Sequence, residues 1–257
     1  MSLAKTILII GVGPGDPDQV TIQAVKALNR LDVVFLMDKG AAKDSLIEHR
    51  REVLRRHAPD RAIRFVEAPI PERDRTGDYE AGVRDLNARK GDVFERMIAE
   101  GLKDGECGGV LVWGDPALYD STVRIVEEIA ASGRHDLEWE VIPGISSIQT
   151  LAARHRTTLN RIGRSIEVTT GRRLREAGPR ADSVVVMLDA ENAFAGLDDP
   201  EAYEIYWGAY VGAPEEILIA GPLAEVTNEI VRRRAAAREA NGWIMDSYIL
   251  RRREPDE

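Results

Sequence analysis

Four short stretches combine glycine with polar or aromatic residues in patterns suited to holding a small molecule. The first, Gly11-Val12-Gly13-Pro14-Gly15-Asp16, directly follows an apolar run. It invites a dinucleotide-binding reading, G-x-G-x-x-G, and departs from it at two points. Asp16 stands where the third glycine belongs, and its carboxylate would repel a pyrophosphate at a helix N-terminus. Pro14 removes one of the backbone donors that would cradle phosphate. Pro14-Gly15 fits the central pair of a type II turn, with Gly15 at positive φ. An acidic turn of this kind suits a cation or a neutral sugar better than phosphate. Asp32 and Asp38 could stand in for the ribose-binding acid of a dinucleotide site, but without the glycines they carry little weight.

The second stretch is Trp113-Gly114-Asp115-Pro116, again after an apolar run. Gly114 lets a ligand approach the backbone, and Asp115 could bond a ribose hydroxyl or an amine. A plain strand-to-helix turn accounts for it equally well. The third, Pro143-Gly144-Ile145-Ser146-Ser147, opens a helix; its serines can cap that helix, or its hydroxyls and free N–H groups can bind a carboxylate. In the fourth, Tyr206–Ala213, aromatics flank small residues, where an adenine could pack against backbone, with strand-core packing as the alternative.

These stretches need strands and helices to position them, and the pattern supplies both. Short apolar runs alternate with amphipathic ones, as in α/β proteins with mostly parallel strands. Thr6–Gly11, Val33–Met37, Arg64–Ala68, Gly109–Trp113 and Trp139–Ile142 read as strands. Val20–Arg30, Lys43–His57, Tyr79–Leu102 and Ser121–Ala131 read as helices, and Pro69–Asp78 as a long loop. After Pro143-Gly144 the pattern restarts. A helix over Ser146–His155 leads to strands at Ser165–Thr170, Ser183–Leu188, Glu204–Val211 and Glu216–Ala220, a helix at Asn228–Ala240 and a last strand at Trp243–Leu250. Here the loops are too short for helical crossovers, so a mixed sheet is expected. The expected boundary near Ile145 gives domains 1–145 and 146–257.

Composition narrows the function. The 257 residues suffice for two modest α/β domains, and a net charge of −9 argues against a general nucleic-acid binder. No stretch has the apolar length of a membrane helix, and Thr6–Ile10 is too short for a signal-peptide core, so a cytoplasmic protein is expected. Cys107 is the only cysteine, which leaves no disulfide framework or thiolate metal site. His49, His57, His135 and His155 are dispersed and read as solvated helix-face or loop residues; no metal site is expected. Two arginine blocks stand out. Arg50, Arg51, Arg55, Arg56, Arg61 and Arg64 read as a solvated, ion-paired helix face. The second, from Arg154 to Arg175, suits a compact polyanionic ligand.

The motifs GVGPGD, GDP and PGISS, in that order and each after an apolar run, resemble the tetrapyrrole methylase family, and the resemblance covers essentially the whole chain. It implies two α/β domains, a mostly parallel N-terminal sheet and a mixed C-terminal one, with S-adenosylmethionine (SAM) in the interdomain cleft, and a homodimer. Carried over by position, it implies cofactor contacts at Pro14, Gly114, Asp115, Leu118, Ser146, Ser147, Met187 and Gly208. Many members have a proton-accepting aspartate at the end of the second strand; here the matching position falls on Met37, with Asp38 one residue later.

Within the family, the segment Lys39–Arg75, the block YWGAYVGAPEEILIAGP and the ending WIMDSYILRR are most similar to the branch that methylates carbon 1 of precorrin-5 and releases acetate. The resemblance therefore implies methyl transfer onto a tetrapyrrole, chiefly a task of orientation. A general base for water is needed, with Asp38, Tyr119 and His155 as candidates. Substrate carboxylates would meet Arg154, Arg156, Arg161 or Arg164, because guanidinium forks match carboxylates. Three alternatives stay open: a precorrin methylase acting on another ring carbon, a ribosomal-RNA methyltransferase on the same scaffold, and a non-enzymatic nucleotide-binding sensor. No membrane and no nucleic-acid partner is expected.

Overall fold

A computed structural model describes residues 3–38, 44–71 and 79–254. The chain forms two compact units, Met1–Gly13 with Pro17–Ile145, and Pro14–Asp16 with Ser146–Glu257.

The first unit is built on five strands, β1 (Lys5–Gly11), β2 (Val33–Asp38), β3 (Arg64–Pro69), β4 (Cys107–Val112) and β5 (Leu137–Ile142). They lie in the order β3-β2-β4-β1-β5 and every pairing is parallel. Parallel neighbours require crossovers, supplied by α1 (Ile22–Leu28), α2 (Asp44–His57), α3 (Tyr79–Gly101) and α4 (Thr122–Ala131). The central strands β1 and β2 carry unbroken apolar runs, Ile7–Ile10 and Val33–Leu36, because both faces are covered. Leu8, Ile10, Val34 and Leu36 face a core shared with Ala24 and Leu28 of α1 and Val53 and Leu54 of α2. Ile7, Ile9, Val33 and Phe35 face the opposite core, with Phe94 and Ile98 of α3 and Ile125 and Ile129 of α4.

The second unit holds β6 (Ile166–Thr170), β7 (Ser183–Met187), β8 (Tyr203–Ala209), β9 (Ile217–Pro222) and β10 (Asp246–Arg252), in the order β6-β7-β10-β8-β9. Only β6 and β7 run parallel, so the sheet is mixed. Its helices are α5 (Ser147–Arg154), α6 (Gly171–Ala177) and α7 (Leu223–Asn241). The fold class is the one the sequence predicts.

Three local expectations are corrected. α6, the crossover of the parallel pair, is absent from the sequence reading because only Leu174 among its side chains gives it an apolar face. α7 begins five residues before Asn228, since Pro222 occupies its N-cap instead of breaking the chain into a loop. The last strand starts at Asp246, not Trp243. Gly242, at φ 73°, closes α7, and Trp243 packs edge-on against the Tyr210 ring. No helix among the described residues is long and apolar enough to cross a membrane.

Candidate functional site

Strand order dictates which loops meet in the first unit. β1 lies between β4 and β5, and all three are parallel, so the loops leaving their C-terminal ends are neighbours. Gly13 and Gly114 pair as an antiparallel bridge: the Gly13 N–H donates to the Gly114 carbonyl at 3.3 Å and the Gly114 N–H donates back at 2.8 Å. Asp115 fastens the third loop. Its Oδ2 accepts the Gly144 N–H at 2.8 Å and its Oδ1 the Ala117 N–H at 2.8 Å. A Cβ on Gly11 would stand 2.6 Å from the Gly144 nitrogen, and one on Gly144 would strike the Gly114 carbonyl. The three loops are thus knitted backbone to backbone.

This geometry corrects two sequence readings. Gly15 does not carry the positive φ of a type II turn; Gly13 does, at 80°. Gly15 is required for space, since a Cβ there would lie 2.7 Å from the Ala213 nitrogen. Nor are the N–H groups of Pro143–Ser147 as free as expected. Gly144 donates to Asp115, and Ser146 donates to the Gln149 side chain at 2.7 Å, half of a capping box at the start of α5. The N–H groups of Gly13, Gly114 and Gly144 are all used between loops, so none of these three is offered to a phosphate.

In the second unit Pro14–Asp16 counts with Ser146 onward. Gly15 packs on Val211–Ala213, bringing the first and fourth motifs together. Gly208, buried in β8, has Leu151 of α5 where a side chain would go, and Trp207, Ala209 and Tyr210 beside it are buried too. Core packing therefore explains the small residue at 208. Ser146 is buried and Ser147 half-buried. Met187 ends β7, followed by Leu188 at φ 54°, exposed, and Asp189, buried. Further along that loop, Asn192 adopts φ 56°, and its buried Oδ1 has no donor among the described residues.

The remaining candidates separate. Asp38 closes β2, and its side chain lies outside the described residues, as do residues 39–43. Leu118 is half-buried; Tyr119, beside it, is exposed at φ 53°. His155 caps the C-terminus of α5, with Nε2 at 3.0 Å from the Trp207 carbonyl and its ring edge-on to Tyr206. Burial lowers its pKa below the ordinary histidine value. Arg154 pairs with Glu216 and Arg161 with Asp182, both at 3.1 Å, whereas Arg156 and Arg164 are exposed.

The histidines as a group differ from expectation: all four are half-buried rather than solvated. His57 Nε2 meets the Pro17 carbonyl, His135 meets Glu95, and His49 lies against Trp113. The first arginine block is ion-paired as expected through Arg51, Arg55, Arg56, Arg61 and Arg64. Arg50 is the exception and turns inward, donating to the Leu111 carbonyl at 2.7 Å.

Sequence reasoning missed one network in the second unit. Asp189 accepts from the Tyr248 hydroxyl at 2.7 Å and from the Ala193 N–H at 2.7 Å. Arg234 donates to the Asp189 carbonyl and to Asp246, which also accepts from Trp207 Nε1. Its members span residues 189 to 248, and no local spacing announces it.

The family model described as Tetrapyrrole (Corrin/Porphyrin) Methylases matches residues 6–227. A precorrin-6A synthase [deacetylating] from Sinorhizobium sp. is 48% identical over 250 residues, covering 96% of this chain and 95% of the relative. The crystal structure of a cobalamin synthesis related protein, CobF, from Corynebacterium diphtheriae superposes with a TM-score of 0.82 at 34% identity, covering 98% of this chain and 100% of that one. A uroporphyrin-III C-methyltransferase from Thermus thermophilus, complexed with S-adenyl homocysteine, shares the fold at a TM-score of 0.59 and 19% identity, over 96% of this chain and 92% of that one.

Proposed function

The chain belongs to the tetrapyrrole (corrin/porphyrin) methylase family, and we propose that it is the SAM-dependent C-methyltransferase of cobalamin biosynthesis that methylates precorrin-5 at carbon 1 and releases acetate, giving precorrin-6A. The observation that carries this reading is the 48% identity to the deacetylating synthase over nearly the full length of both chains.

SAM, when bound, supplies a methyl group already activated on a sulfonium, so the chain's own task is to bind, orient and move protons. Two observations fit such a cofactor. The loop N–H groups are turned toward one another rather than outward to phosphate. The buried Asn192 acceptor lacks a donor that a ligand amine would supply. The residues assigned to the cofactor are Pro14, Gly114, Asp115, Leu118, Ser146, Ser147, Met187 and Gly208. Asp115 acts there as a positioning group, since both its oxygens hold backbone.

Loss of the acetyl group requires water to attack its carbonyl, with a base to take the proton. The candidates remain Asp38, Tyr119 and His155; the last enters with its Nε2 at a carbonyl and only Nδ1 to offer. Of the four arginines assigned to substrate carboxylates, Arg154, Arg156 and Arg164 are exposed and Arg161 is half-buried, and Arg154 and Arg161 would have to leave an acidic partner. The working form is a cytoplasmic homodimer of two-domain chains divided near Ile145, by likeness to the family.

Given SAM and precorrin-5, the purified protein is expected to release acetate and demethylated cofactor in equal amounts. Methyl transfer without acetate would move it to a methylase of another ring carbon. Methylation of ribosomal RNA with no tetrapyrrole turnover would remove it from cobalamin synthesis.

A further inference from the structure

The loop after β8 is held in an unfavourable backbone shape. Tyr210 and Gly212 are both left-handed, at φ 49° and 85°, and Tyr210 lacks a glycine's freedom to be so. The Ala213 N–H donates to the Tyr210 carbonyl at 2.8 Å and the Glu216 N–H to the Ala213 carbonyl at 3.1 Å, folding the loop back on itself. The Gly212 N–H donates to Glu216 Oε2 at 2.8 Å. That same oxygen accepts from Nε of Arg154, the last residue of α5, at 3.1 Å. The two side chains differ in exposure, Glu216 being 19% exposed and Arg154 44%. One half-buried carboxylate oxygen thus serves both a loop N–H and an arginine that faces water.

Both neighbours of Glu216 have a part in the reading above. The loop packs beside two positions at the assigned cofactor contacts. A Cβ on Gly208 would lie 2.7 Å from Val211 Cγ2, and one on Gly15, next to Pro14, would lie 2.7 Å from the Ala213 nitrogen. Arg154 is one of the arginines assigned to substrate carboxylates, and to bind one it must exchange Glu216 for it. That half of the contact is weak enough to exchange, since a half-exposed ion pair is screened by water and salt. The Gly212 half is not, because a shielded backbone N–H that loses its acceptor goes unsatisfied.

We propose that Glu216 is a positioning residue with two separable tasks. Through Gly212 it holds the loop after β8 ready for the cofactor, and through Arg154 it restrains a substrate arginine until a tetrapyrrole carboxylate takes its place. The proposal rests on the tetrapyrrole methylase reading and adds to it a residue that links the substrate arginines to a cofactor loop.

Two substitutions separate the tasks. Glu216→Gln keeps an oxygen for the Gly212 N–H and removes the charge that competes for Arg154, whereas Glu216→Ala removes both. Uroporphyrin III, a stable tetrapyrrole with carboxylate side chains, probes the substrate side through quenching of tryptophan fluorescence. S-adenosylhomocysteine probes the cofactor side by calorimetry. Glu216→Gln should bind the porphyrin roughly threefold more tightly, the scale of a half-exposed ion pair, and keep its cofactor affinity. Glu216→Ala should show the same porphyrin gain but lose roughly tenfold in cofactor affinity, because the cofactor must then order a loop that Glu216 had held ready. A role confined to folding would not raise one affinity while lowering the other. In an Arg154→Met background, Glu216→Gln should leave porphyrin affinity where Arg154→Met alone puts it, since no arginine remains to be released. Wild-type porphyrin affinity in folded Glu216→Gln, or wild-type cofactor affinity in folded Glu216→Ala, would overturn the proposal and leave the methylase reading standing. A wild-type protein that binds S-adenosylhomocysteine but no porphyrin would overturn the tetrapyrrole reading and the proposal together.

Discussion

The Asp115 carboxylate holds the Gly144 backbone, accepting its N–H at 2.8 Å and so tying the loop after β4 to the loop after β5. The other oxygen accepts the Ala117 N–H in its own loop. Asp115→Ala should therefore strand two backbone donors at a cost of about 1–3 kcal/mol each where they stay shielded from water. Asp115→Asn, which keeps one oxygen and presents an NH2 to the other donor, should cost less in stability. Both should weaken S-adenosylhomocysteine binding, because the loops are displaced even where the cofactor never touches the carboxylate. Urea unfolding and calorimetric titration read the two effects separately. Unchanged stability in both variants would mean that water replaces the carboxylate and that the tie does not organise the loops.

Two glycine-to-alanine changes should act in opposite directions. At Gly144 a Cβ would run into the Gly114 carbonyl, with the Gly11 backbone 2.8 Å away, so the variant must push the loops apart. At Gly91, inside α3, a Cβ meets nothing within 4 Å. Gly91→Ala should stabilise by about 0.5–1 kcal/mol, by restricting the unfolded chain and improving helix propensity. Thermal unfolding checks both. A stable, cofactor-binding Gly144→Ala protein would show that the backbone packing here is loose.

Much of this architecture is legible in the sequence because the central strands are buried on both faces. TILII and VVFLM can hardly be anything but strands of a covered parallel sheet, and the turns between them declare the crossovers. The loops after β1, β4 and β5 are legible as places where ligands gather. Their internal wiring is not: that Gly13 rather than Gly15 takes positive φ follows from its bridge to Gly114, 101 residues away in sequence. Arg50 is hidden for a similar reason. It sits among arginines that all find acids, and only the Leu111 carbonyl, reached through the fold, turns it inward. α6 fails on a different ground, since a seven-residue helix with one buried apolar side chain has almost no periodicity to read.

His155 makes stability depend on pH. Burial disfavours its charged form, so below neutral pH the folded chain binds fewer protons at this site than the unfolded chain does. Its contribution is fully present above the ordinary histidine value of 6.5 and is lost as pH falls below it toward the depressed folded value. His155→Gln retains an amide that can donate to the Trp207 carbonyl and removes the titration. Unfolding midpoints compared between about pH 7.5 and about pH 5 should fall more for the wild type than for this variant. Equal pH dependence in the two would assign the acid sensitivity to other groups.

The ion pair of Arg234 and Asp246 is the most deeply buried in the described structure, with side chains 8% and 5% exposed. It carries more than its own charge. Asp246 also accepts Trp207 Nε1 at 3.0 Å, and Arg234 reaches the Asp189 carbonyl at 2.6 Å, while Tyr248 donates to the Asp189 carboxylate. Removing either charge alone leaves the other buried without compensation, which should cost about 3–5 kcal/mol. Replacing both, as in Arg234→Met with Asp246→Leu, removes the desolvation problem and should recover most of that loss, leaving the cost of the orphaned indole and carbonyl. The double-mutant cycle in urea should therefore depart strongly from additivity. The network also fixes the backbone just after β7, where Met187 is proposed to meet the cofactor. Tyr248→Phe, which deletes only the hydroxyl, should lower S-adenosylhomocysteine affinity by more than its modest loss of stability would suggest. Additive single losses would mean that the two side chains contribute independently. Unchanged affinity in Tyr248→Phe would detach Asp189 from the cofactor loop and leave the network a purely structural element of the second unit.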